Sequence, residues 1–90
     1  MKIAIAMPAY NEGDAIPVFL NELYAEFVDH SLEIVVVDDF STDGTADVLI
    51  GHLAAPRVHK NAKNLGHGPS YLMALQIASN LEVDFVIATD

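Results

Sequence analysis

The chain reads as a member of the α/β class, a mainly parallel sheet with helices on both faces, and three observations lead there. Short β-branched apolar runs alternate with longer amphipathic ones along the whole length. Two of the short runs, Glu33-Ile34-Val35-Val36-Val37 and Phe85-Val86-Ile87-Ala88, are almost continuously apolar, as suits strands covered on both sides. Each amphipathic run starts just after a polar cluster that follows a strand, the rhythm of successive strand–helix units.

Taken in order, the strands are predicted at residues 3–7, 33–37, 57–60 and 85–88. Ile16, Leu20, Leu23 and Phe27 recur at helical steps and form one apolar stripe, with Pro17 in the first turn where proline is tolerated. A second helix is predicted through Leu49 and Ile50, capped by Thr42 or Asp43. A third holds Tyr71, Leu75 and Ala78, with Pro69 in its first turn.

Ninety residues make one modest domain. With 52% hydrophobic and 19% charged residues the chain is too apolar for disorder, and no stretch is apolar and long enough to span a bilayer. Thirteen acidic residues against four basic ones give a net charge of -9, which argues against a DNA- or RNA-binding surface, so no nucleic acid partner is expected. The absence of cysteine excludes zinc-thiolate sites, thiol nucleophiles and disulfides. The apolar start, Ile3 to Met7, is ended by Pro8 and is too short for a signal peptide, so a cytoplasmic location is expected.

In an open parallel sheet, ligands bind at the carboxyl ends of the strands, and there the informative residues gather. Pro8-Ala9-Tyr10-Asn11-Glu12 offers a ring, an amide and a carboxylate that can stack on and hydrogen-bond a base; taken alone it reads as a turn with a packed ring. Asp38 and Asp39 end a buried strand side by side, where they repel and are costly to desolvate without a cation or donors. A divalent metal on phosphates, or the ribose and base of a nucleotide, would compensate them, while Ser41, Thr42 and Asp43 read as caps and Gly44 as a turn. Asn64-Leu65-Gly66-His67-Gly68-Pro69-Ser70 supplies amides and a helix start of the kind that hold anions, but it lacks a P-loop lysine and reads first as a turn with a cap. His30, His52 and His59 have no ligand spacing, and of the histidines His67 alone falls near the ligand edge. Asp90 closes the chain where a strand-to-loop transition is expected to continue.

Together, Met7 to Glu12, Val36-Val37-Asp38-Asp39-Phe40-Ser41-Thr42-Asp43-Gly44-Thr45, Asn64 to Gly68 and Ala88-Thr89-Asp90 resemble, in order and spacing, the family-2 glycosyltransferases of GT-A fold. The likeness covers essentially all 90 residues, and the Asn64 to Ser70 segment is most similar to the polyprenyl-phosphate sugar transferases, the branch of dolichyl-phosphate mannose synthase. It implies the Rossmann-like, nucleotide-sugar-binding half of the fold over residues 1–90, with the chain interrupted at the start of the Asp-x-Asp motif and a sheet ordered 3-2-1-4. It implies transfer of a sugar, with inversion, from a UDP- or GDP-linked donor to an acceptor such as polyprenyl phosphate, with Mg²⁺ or Mn²⁺. The full-length protein would then work at the cytoplasmic face of the membrane. In this chain the fourth strand, which a family-like continuation would normally cover, is expected to present an exposed edge and a tendency to associate as a homo-oligomer. By position, Tyr10 would stack near the base, Pro8, Ala9 and Glu12 would shape the pocket, and Asp39 with Asp38 would bind base or ribose. Asp90 matches the first aspartate of the metal motif, and the general base lies downstream, outside this chain. Phe40 and Ser70 depart from the pattern, which often has a small residue and an alanine at those places. The competing expectation is a non-catalytic nucleotide-binding or interaction module; a dinucleotide-binding dehydrogenase is excluded because residues 8–13 hold no Gly-x-Gly-x-x-Gly.

Overall fold

A computed structural model describes residues 1–52 and 55–89. Strand β1 (Lys2–Ala9) is followed by α1 (Ile16–Glu26), β2 (Ser31–Asp38), α2 (Thr45–Ile50), β3 (Arg57–Lys60), α3 (His67–Ser79) and β4 (Phe85–Ala88). The four strands form one parallel sheet in the order β3-β2-β1-β4, as expected. The register aligns Ala9 with Asp38, so the first two strand ends, and the polar clusters that follow them, lie side by side.

Alternation along the central strands divides the core in two. On one face Met7, Ala9, Ile34 and Val36 pack with Ile16 and Leu20 of α1 and Leu49 of α2. On the other, Ala4, Ala6, Val35 and Val37 meet Ala74 and Ala78 of α3. Of the predicted stripe on α1, Ile16 and Leu20 are buried, Leu23 packs at the margin, and Phe27 is the residue that ends the helix by donating its N–H to the Leu23 carbonyl at 3.0 Å.

Two expectations need correction. The N-cap position of α2 is held not by Thr42 or Asp43 but by Gly44, in the left-handed region at φ 85° where glycine carries no steric penalty; Asp43 still serves the first turn from one residue upstream, its Oδ1 accepting the Thr45 N–H at 3.0 Å while its Oδ2 accepts the Gly13 N–H across the loop. The apolar run of β4 is not covered on both faces among the described residues. Phe85, Val86 and Ile87 are 55%, 36% and 40% exposed, so no packed layer of the described residues covers them; β4 is also an edge strand, paired among the described residues with β1 alone. The double-sided burial holds for β2, where residues 34–37 are all buried. Among the described residues no helix is long and apolar enough to cross a membrane.

Candidate functional site

At the carboxyl edge of the sheet lies a cleft of about 360 Å³, lined by Pro8, Ala9, Tyr10 and Glu12 on one side and by Asp39, Asn64, Gly66 and His67 on the other. Two loops form its walls, and the paired aspartates at the end of β2 hold both. Asp38 is fully buried and does not line the cleft; its carboxylate accepts from the Ser41 N–H at 3.2 Å and from the Ser41 hydroxyl. Ser41 in turn accepts the Asn11 N–H at 2.9 Å, and Asn11 Oδ1 accepts the Thr42 N–H at 2.8 Å. The Glu12 N–H donates to Thr45 Oγ1 at 3.0 Å, and the Gly13 N–H to Asp43 Oδ2 at 3.2 Å. The residues read from sequence as caps are therefore cross-braces that fix the loop carrying Tyr10 and Glu12. That loop bends at Asn11, a non-glycine residue at φ 51°, and Phe40 stands opposite at φ 62°.

Asp39, 4% exposed, holds the other wall. Its Oδ1 accepts from the Leu65 N–H at 2.7 Å and the Asn61 amide at 3.1 Å, and its Oδ2 from the Gly66 N–H at 2.9 Å. The bend that brings Leu65 and Gly66 onto one carboxylate requires Gly66 at φ 99°. Burial pushes the Asp39 carboxyl up, but donors from Leu65, Asn61, Gly66 and Ser70 together outweigh it and hold the group below the ordinary carboxylate range. Asp43 is lowered as well, chiefly by the Thr45 hydroxyl and, after burial that opposes it, by the Gly13 and Thr45 N–H groups.

The two carboxylates that seemed to demand a cation are thus each satisfied by donors of the chain itself. The lowered Asp39 group stabilises the fold fully above its unfolded value near pH 4, and that contribution is lost as the pH falls through the lower folded value. Urea midpoints measured between pH 7 and pH 2.5 are expected to drop in this acid window, and to drop less steeply in Asp39→Asn; parallel profiles would contradict the assignment.

Five of the six residues expected at a nucleotide, Pro8, Ala9, Tyr10, Glu12 and Asp39, line one cleft, whereas Asp38 does not. The expected metal ligand, Asp90, lies outside the described residues. Among the described residues no group of three or more His, Asp or Glu is arranged to hold a metal, so they do not by themselves fit a divalent ion. The Asn64 to Ser70 segment, read from sequence first as a turn and cap with His67 near the ligand edge, supplies Asn64, Gly66 and His67 to the wall, and its glycines were the available signal. His67 opens α3 and stacks on Tyr71, ring centroids 6.2 Å apart. Asn61, buried behind the wall, had no signal at all, being a single asparagine in a polar stretch.

A parallel sheet with its cleft at the carboxyl edge, walled by a ring, carboxylates and a glycine bend, defines an open α/β protein, the class in which ligands sit at that edge. The family described as Glycosyl transferase family 2 matches residues 4–89, and the chain belongs to it. It is 33% identical over 92 residues to undecaprenyl-phosphate 4-deoxy-4-formamido-L-arabinose transferase of Sodalis glossinidius (strain morsitans), covering 99% of this chain and 28% of that protein. It is 35% identical over 96 residues to bactoprenol glucosyl transferase of Shigella phage SfV, covering 100% of this chain and 30% of the relative. The chain therefore spans about three tenths of the length of these curated relatives.

Proposed function

We propose that this chain is the donor-binding part of an inverting glycosyltransferase that passes a sugar from a UDP- or GDP-linked donor to a polyprenyl phosphate. The observation that carries the reading is the cleft, in which Tyr10, 46% exposed at the rim, faces the Asp39 to His67 wall across a space open to a planar base. The acceptor class follows the relatives, whose names specify undecaprenyl phosphate and bactoprenol. Pro8 and Ala9 form the floor, Glu12 is offered to ribose or base hydroxyl and N–H groups, and Asp38 acts through Ser41 and Asn11 on the loop that carries Tyr10.

Among the described residues the lining holds two carboxylates and no lysine or arginine, a setting in which an anionic diphosphate calls for a cation beside it. Mg²⁺ or Mn²⁺ is the expected counter-ion, with Asp90 as its expected ligand from this chain, and it would neutralise charge on the leaving diphosphate. The chain's own residues bind and orient the nucleotide; deprotonation of the acceptor falls to a base beyond this chain.

Calorimetric titration with UDP and GDP, with and without magnesium, tests this. We expect binding that strengthens with the ion, and about a tenfold loss of affinity in Tyr10→Ala, the scale of one base–aromatic stack. Affinity indifferent to Tyr10 would count against the pose. The open, apolar edge of β4 also favours pairing between copies. Sedimentation should show mass rising with concentration, and Val86→Lys should suppress it; a monomer at every concentration would exclude self-pairing.

A further inference from the structure

We propose that Asn61 and Ser70, neither of which lines the cleft, are positioning residues that act through Asp39 to hold the wall formed by residues 64–67 in its binding geometry. Both side chains are buried, Asn61 at 4% and Ser70 at 0% exposure. The Asn61 amide donates twice, to Asp39 Oδ1 at 3.1 Å and to Ser70 Oγ at 3.0 Å, and its backbone N–H donates to the Asp38 carbonyl at 2.8 Å. One side chain thus ties the end of β2, the end of β3 and the first turns of α3 to the carboxylate that carries Leu65 and Gly66.

The amide orientation is set by chemistry, since the reverse would place Oδ1 against the Asp39 carboxylate. In the orientation adopted, Oδ1 is buried with no partner among the described residues. An unpaired buried carbonyl detracts from stability, so the contribution of Asn61 lies in the two bonds it donates. The bond to Asp39, together with that from the Leu65 N–H, occupies Oδ1 and leaves the carboxylate a fixed bracket for the loop instead of a group free to swing toward a ligand, while the bond to Ser70 ties the amide to α3. Asn61 and Ser70 therefore determine where the N–H groups and side chains of the wall stand when a nucleotide enters.

This inference rests on the reading of the cleft as a nucleotide site, and its test separates the two. In Asn61→Leu, close in volume and without donors, amide hydrogens of Leu65 and Gly66 should exchange about tenfold faster, and UDP or GDP affinity should fall about tenfold, the loss of one hydrogen bond. Ser70→Ala keeps the Asn61–Asp39 bond and should show a smaller change of the same kind; it carries both readouts if Asn61→Leu does not fold. Leu20→Ala, destabilised on the opposite face of the sheet, should leave both readouts unchanged well below its melting temperature. Unchanged exchange at Leu65 and Gly66 in Asn61→Leu would overturn the positioning role, as would an equal loss of affinity in Leu20→Ala. Failure of the unsubstituted protein to bind UDP or GDP would instead remove the nucleotide reading, and the exchange rates would still decide the positioning.

Discussion

Asp39→Ala is expected to lower the unfolding free energy by about 3 kcal/mol, because it strips the acceptor from three donors at once. The Leu65 and Gly66 N–H groups and the Asn61 amide all end on this carboxylate. Each buried donor left unpaired costs about 1 to 3 kcal/mol, and water reaching the loop from the cleft places the total toward the lower end of the sum. A 90-residue domain has roughly 5 to 13 kcal/mol in all. The variant should therefore unfold at a markedly lower urea concentration, and the wall at Gly66 should lose its position even in molecules that remain folded. A change below about 0.5 kcal/mol would mean that Asp39 does not hold the loop.

Leu20→Ala is expected to cost about as much, for an unrelated reason. Leu20 is fully buried in the cluster with Met7, Ile16, Ile34, Val36 and Leu49, where α1 meets the sheet. Removing its branched end takes away transfer free energy and leaves a cavity that the flanking β-branched side chains cannot collapse to fill, about 2 to 5 kcal/mol in such sites. For a domain of this size that lowers the melting temperature by roughly 10 to 25 °C. The two variants separate fold from site: Asp39→Ala disturbs stability and cleft together, whereas Leu20→Ala loosens the fold from its far face and leaves nucleotide affinity intact in the cold. A melting temperature unchanged in Leu20→Ala would contradict the packing described for α1.

The strands and their order were legible because the signals are local: Ile34 to Val37 read as buried on both faces from composition alone, and the spacing of Ile16, Leu20 and Leu23 marked a helix face. The open edge of β4 was legible, but the exposure of its faces was not, since an apolar run records what a strand can bury and not what packs against it. The cleft was legible as a cluster of strand-end segments, through Tyr10, Glu12 and Asp39. Its internal wiring was not. Ser41, Thr42 and Asp43 have the composition of helix caps, and only the parallel register of β1 and β2 brings Asn11 and Gly13 within their reach. Adjacent aspartates likewise look unsatisfied in sequence, because their donors, Ser41 on one side and Asn61, Leu65 and Gly66 on the other, come from different loops.

The central claim is that a nucleoside diphosphate binds between the loop of residues 8–12 and the wall of residues 64–67. An amide-resolved NMR titration of the ¹⁵N-labelled protein with UDP and GDP in magnesium tests it most directly. The result expected is a saturable shift confined to Ala9, Tyr10, Glu12, Asp39, Gly66 and His67, with the amides of α1 and the amino ends of the strands unmoved. Shifts centred on the opposite edge, around Lys2 and Arg57, or no saturable shift at millimolar nucleotide, would contradict it.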